Sequence, residues 1–192
     1  MRRTTQLTAA GLAIGAAVTG AAVTGTATAS SGSTEQPTQV RQQLTASSPA
    51  LAACMPKAEV NIKVDLRTAA TGRDIFNVAA SGLPANTDFT VFLLETAKAP
   101  FGAAEYIGDI TTDNHGRAHN SFKLIVQEAF SSTLVNGTRV RVDLNQVGMW
   151  FADPKGDDFC LGANSPVTPF DGDNEAGVQA FNSADTTPLP AP

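Results

Sequence analysis

Residues 58–67 read "AEVNIKVDLR", in which Val60, Ile62, Val64 and Leu66 alternate with Asn61, Lys63, Asp65 and Arg67. That period of two builds a strand with one dry face and one wet face, and it is incompatible with an amphipathic helix. The same texture continues through "IFNVAAS" and "FTVFLLE", which are separated by the turn formers of "GLPANTD". "EYIGDITT" and "RAHNSFKLIV" flank "DNHG", where Asp113 and Asn114 can bond the backbone ahead of them and Gly116 can take positive φ, so a hairpin is expected. After a turn at Val135 to Gly137 come "TRVRVDLN", "QVGMWF" and "GVQAF", with one helical turn expected near "VQEAFSS". About eight short strands with no helix-period segment between them predict an all-β chain, an antiparallel β-sandwich rather than a parallel sheet.

The flanks read differently. Residues 1–29 carry Arg2 and Arg3, an uncharged Ala/Gly/Val-rich stretch, and Ala27-Thr28-Ala29, the small-x-small pattern of a secretory signal peptide. Export is therefore expected, by the general route or by the twin-arginine route, although "TTQL" after the arginines departs from the latter pattern. The apolar run is shorter than the ~20 residues of a membrane span, so no span is expected. Residues 30–53 are rich in Ser, Thr, Gln and Ala and poor in large apolar side chains, the composition of a disordered leader. Residues 183–192, "SADTTPLPAP", read as an extended Pro-rich tail, which leaves 54–182 as the folded domain.

Without the two leader arginines the formal charge moves from -5 to -7. Ten acids and nine bases lie between Cys54 and Trp150, whereas seven acids and one lysine follow from Phe151 onward. A nearly neutral body with an acidic end argues against nucleic acid and anionic lipid as partners, and favours a cation.

Leu51-Ala52-Ala53-Cys54 has the form of a lipobox. A lipidation site must adjoin the apolar signal core, yet about 25 residues separate Ala29 from Cys54, so an anchor is not expected. In an exported chain with two cysteines, Cys54 and Cys160 are expected to pair. No C-x-x-C spacing suggests redox chemistry.

The most unusual segment, "WFADPKGDDFCLGANSPVTPFDGDNEAGVQAF", concentrates carboxylates among turn residues. Asp171, Asp173 and Glu175 offer oxygens at alternating positions that a loop could wrap around calcium, though without the spacing of an EF-hand; a solvated acidic loop is the plainer reading. His115 and His119 are four apart, but a turn and a strand period intervene, so they do not form a helical zinc pair. There is no G-x-S-x-G elbow for a serine hydrolase. Phe76, Phe89, Phe92, Phe122, Trp150 and Phe151 are expected to fill the core; because Trp150 and Phe151 are adjacent in a strand and point to opposite faces, the alternative is that one of these two rings faces outward and flanks a binding surface. With Asp153, Asp157 and Asp158, that ring marks a candidate contact surface.

"ASGLPANTDFTVFLLE" followed by "YIGDITTDNHGRAH" resembles the strand, corner and hairpin of immunoglobulin-like or fibronectin-like modules of exported bacterial proteins. The chain is similar in general pattern to secreted actinobacterial proteins of unassigned function. The resemblance implies a fold and no activity. The expected role is that of a secreted, non-catalytic module, without a cofactor, that either binds an extracellular ligand or cell-envelope component or serves as a structural part of the cell exterior. The alternative is a secreted hydrolase using the loop carboxylates, Asp153, Asp157 and Asp171 first.

Overall fold

The computed structural model describes residues 38–172 and 174–190. Among them are ten strands: β1 (Gln39–Ala46), β2 (Glu59–Asp65), β3 (Asp74–Ser81), β4 (Asp88–Leu94), β5 (Ala104–Thr111), β6 (Ala118–Leu124), β7 (Phe130–Val135), β8 (Thr138–Asp143), β9 (Gln146–Phe151) and β10 (Gln179–Asn182). Short helices α1 (Pro49–Cys54), α2 (Thr68–Thr71) and α3 (Asp158–Leu161) interrupt them, with a 3-10 turn at Val126–Glu128. Every strand pair is antiparallel. Eight strands form one ladder in the order β5-β4-β9-β10-β1-β2-β3-β6, and β7-β8 stand as a separate hairpin.

β1 joins the two halves of this ladder. Its first part, Gln39 to Leu44, pairs with β2, and its last residues, Thr45 and Ala46, pair with β10. Residues 38–53 are thus not the disordered leader that composition suggests. Val40, Gln42 and Leu44 point inward, and the buried Gln42 donates from Nε2 to the Thr187 carbonyl at 2.6 Å. A glutamine in an inward position hides the alternation, and its bond shows why it is tolerated: a buried amide needs a partner. That partner lies in the C-terminal segment, which is also not a free tail. Ser183 and Leu189 are buried, and the Leu189 N–H bonds the Asn145 carbonyl at 2.8 Å, so the segment is anchored at both of these points. Its prolines leave few backbone donors to satisfy.

The expected hairpin at 113–116 forms its turn but not its ladder. Asp113 Oδ1 accepts from the backbone N–H groups of His115 and Arg117, and Gly116 takes φ 69° with its Cα against the Leu83 carbonyl. Beyond the turn the strands part, β5 pairing with β4 and β6 with β3. The two ends of the eight-stranded ladder are consecutive in sequence, and the turn holds them near each other. Asn120 Nδ2 donates to the Asp109 carbonyl at 2.9 Å, and the Phe122 ring lies where a side chain on Gly108 would go. The sheet therefore nearly closes on itself.

Inward residues of both halves share one core, including Val60, Ile62, Val64, Phe76, Val78, Phe89, Val91, Leu93, Val147, Met149, Phe151 and Phe181. β2 and β3 keep one wet face, as alternation requires, but β4 is buried from Phe89 to Leu94. The uninterrupted "FTVFLL" run reflects this double burial. Its even positions, Phe92 and Leu94, meet Trp150 and Ala176 in a second core, covered by Phe101 and Phe170 from the flanking loops. Cys54 and Cys160 are disulfide-bonded, tying α1 to α3 across 106 residues. The signal-peptide stretch lies outside the described residues, as do residues 30–37. Among the described residues no helix is long and apolar enough to cross a membrane.

Candidate functional site

The acidic loop is held by its own carboxylates. Asp157 is fully buried; its Oδ2 accepts from the Val178 N–H at 2.8 Å, its Oδ1 accepts the Ser165 hydroxyl, and its carbonyl receives two N–H groups of α3. Both oxygens are thus engaged by neutral donors, the arrangement that makes a buried carboxylate a structural tie. Asp153 is exposed and caps its own turn through the Lys155 N–H at 2.8 Å, while Asp158 opens α3. The half-buried Asp171 borders a hollow of about 460 Å³ with Tyr106, Asp109 and Gly172, and Glu175 is exposed. Asp173 lies outside the described residues, and among those described no three His, Cys, Asp or Glu side chains are grouped to hold a metal.

Trp150 and Phe151 do not form a contact surface. Both rings are fully buried because β9 is central in the ladder and both of its faces are covered. Phe151 packs at 4.9 Å from Phe89 in the main core. On the other face Trp150 stacks on Phe170 at 4.1 Å, with Phe92 and Phe101 at its edges. Its Nε1–H is buried and has no acceptor among the described residues.

The polar face lies elsewhere, on the outer side of β1, β2, β3 and β6. Register aligns its side chains in rows across the four strands. Gln43 is opposite Asn61, Asn61 opposite Ala79, and Ala79 opposite His119. The next row runs from Arg41 through Lys63 and Asn77 to Ser121. Ala79, with only a methyl group, forms a low point among longer neighbours, and a hollow of about 380 Å³ lies there, bordered by Arg41, Gln43, Asn61, Lys63, Asn77 and His119.

Several of these groups are held in place. Asn77 Nδ2 donates to the Lys63 carbonyl at 3.1 Å, and the Ser121 hydroxyl donates to Asn77 Oδ1 at 2.7 Å. Lys63 Nζ lies 3.0 Å from Asp65 Oδ1, and Gln39 Nε2 donates to the same oxygen at 2.8 Å. The Lys63 hydrogen bond, followed by that from Gln39, holds the Asp65 carboxyl below its ordinary range of 3.8 against the opposing effect of burial. A guanidinium, an ammonium, three amides and an imidazole thus converge on a shallow hollow, a set suited to a guest rich in hydroxyl or anionic oxygens.

Nothing in the sequence singles out Arg41, Gln43, Asn61, Lys63, Asn77 and Ala79 as neighbours of His119. Each sits at a wet position of an alternating strand, and only the register reveals that they meet. Asp74 is likewise unmarked by any sequence motif. It is fully buried and accepts the backbone N–H groups of Arg67 at 2.6 Å, Thr68 at 2.9 Å and Val126 at 3.0 Å, fixing the loop that carries Arg67. Compared with protein-family models and with curated proteins, the chain finds no match in either.

Proposed function

We propose that the chain is a secreted, non-catalytic binding module whose contact surface is the outer face of β1, β2, β3 and β6, and whose ligand is a hydroxyl-rich molecule such as an extracellular glycan. The observation that carries this reading is the hollow over Ala79, bordered by amides, bases and His119. Secretion is supported by the signal-like first 29 residues and by the two cysteines joined in a disulfide. An immunoglobulin-like, two-layer arrangement belongs to the same proposal. What supports it is the change of partner within β1, which divides the ladder into halves whose inner faces share one core.

Filling the hollow tests the reading. Ala79 is exposed, so Ala79→Phe places a ring in the hollow without entering the core. On an array of extracellular polysaccharides the wild type is expected to retain a defined subset and the variant to lose it. Equal retention by the variant would place the contact surface elsewhere.

A hydrolase remains the second reading, and the Tyr106, Asp109 and Asp171 hollow is the observation that favours it. Asp157 has both oxygens committed to the fold, so the carboxylates of such an enzyme would be Asp109 and Asp171. Release of reducing sugar that disappears in Asp171→Asn would select that reading.

A further inference from the structure

Resting on the reading of the sheet face as the contact surface, we infer that its ligand is an acidic polysaccharide whose carboxylates are bound by a basic strip running from the Ala79 hollow to Arg67, Arg73 and Lys123.

The chain is acidic overall, yet its bases are unevenly placed. Arg41 and Lys63 border the Ala79 hollow, and Arg67, Arg73 and Lys123 border a second hollow of about 280 Å³ with Ile75 and Thr71. The two belong to one face. Register sets Asp65 opposite Ile75 and Ile75 opposite Lys123, in the row next to that of Lys63, Asn77 and Ser121. Alternate residues of a strand rise about 7 Å, so the Ala79 row and the Ile75 row are about 14 Å apart along the sheet. An extended polymer lying along the strands would cross both hollows.

Charge along this path is one-sided. Five bases face one acid, Asp65, which is already bound to Lys63 and Gln39. Glu59 lies at the opposite end, opposite Ser81 and beyond the Asn61 row. The nearly neutral body read from the sequence thus resolves in three dimensions into a basic strip. A face of this kind attracts a polyanion even when the whole protein is acidic.

Other features of the strip narrow the polyanion. The outward residues of the four strands include no Phe, Tyr or Trp. Single-stranded nucleic acid is held largely by stacking on such rings, which this face lacks. A neutral sugar chain would likewise have no ring to lie on, so charge must supply most of the attraction. Gln43, Asn61 and Asn77 donate and accept at once, which matches sugar hydroxyls between successive carboxylates.

Calorimetric titration at low and at higher salt with three probes tests this: a guluronate hexasaccharide, cellohexaose, and a short random-sequence DNA duplex. Wild type is compared with the double variant Arg73→Gln/Lys123→Gln, whose side chains are exposed, and circular dichroism checks that the fold is kept. The guluronate is expected to bind, to weaken about tenfold or more with added salt, and to lose about as much in the variant. Cellohexaose binding as tightly as guluronate, or guluronate binding indifferent to salt and to the variant, overturns the acidic-ligand inference while leaving the sheet-face reading intact. Tighter binding of the DNA duplex overturns it in favour of a phosphate polymer. Absence of binding to every probe, by wild type and variant alike, overturns both.

Discussion

Asp157 and Asp113 are both loop carboxylates, and each has a local task. Asp157 is buried and receives the Val178 N–H and the Ser165 hydroxyl, so Asp157→Ala removes the acceptor of two part-buried donors and leaves a void in its place. The variant should lose about 3 kcal/mol in urea unfolding, because hydrogen bonds to charged groups contribute more than neutral ones and leave costly orphans when cut. Glycan binding, measured in the same samples below the unfolding transition, should be unchanged. Asp113 is exposed, and bonds from the Arg117 and His115 backbone N–H groups hold its carboxyl below the ordinary 3.8. A depressed carboxyl adds stability that is complete above its unfolded value and is lost as pH falls through 3.8 toward its folded value. Thermal midpoints of wild type should therefore fall more steeply than those of Asp113→Asn as pH drops from about 5 to 3. Parallel curves would show that the turn does not depend on this charge.

Among the elements, β1 carries the strongest consequence. Among the described residues it is the only link between β10 and β2 in the ladder, so a chain beginning at Cys54 lacks the strand that joins the two halves. That chain is expected to be unfolded by circular dichroism, while one beginning at residue 36 folds. The disulfide acts differently, constraining the unfolded chain across 106 residues. Replacing both cysteines by alanine should cost up to ~4.7 kcal/mol in chemical denaturation without changing the spectrum of the folded state.

The same elements mark how far sequence pattern reaches. The eight strands with clear alternation or apolar runs were legible, as were the turn at 113–116 and the pairing of Cys54 with Cys160. β1 was not, because Gln42 occupies its central inward position and draws its partner from a segment about 145 residues away. β7 was hidden by "VQEAFSS", where a 3-10 turn leads directly into a strand that is mostly exposed. Trp150 and Phe151 are both in the core, as expected, and the alternative of an outward ring fails for a related reason. Opposite faces of β9 were correctly inferred, but the loops bearing Phe101 and Phe170 cover the second face, a long-range fact that period alone does not carry.

At the scale of the whole molecule, the two charged regions have distinct roles. The acidic segment after Phe151 is tied to the body by Asp157, by the disulfide and by the second aromatic core, so much of its unusual composition serves its own folding. The outer face of β1, β2, β3 and β6 has the converging polar groups and the excess of bases, and neither is visible until register brings four strands together. Backbone amide chemical shifts, followed while a guluronate hexasaccharide is added, test this division most directly. The perturbed residues are expected to cluster at 41–43, 61–67, 73–79 and 119–123. Perturbations centred on 150–175 would contradict it and return the contact surface to the acidic loop.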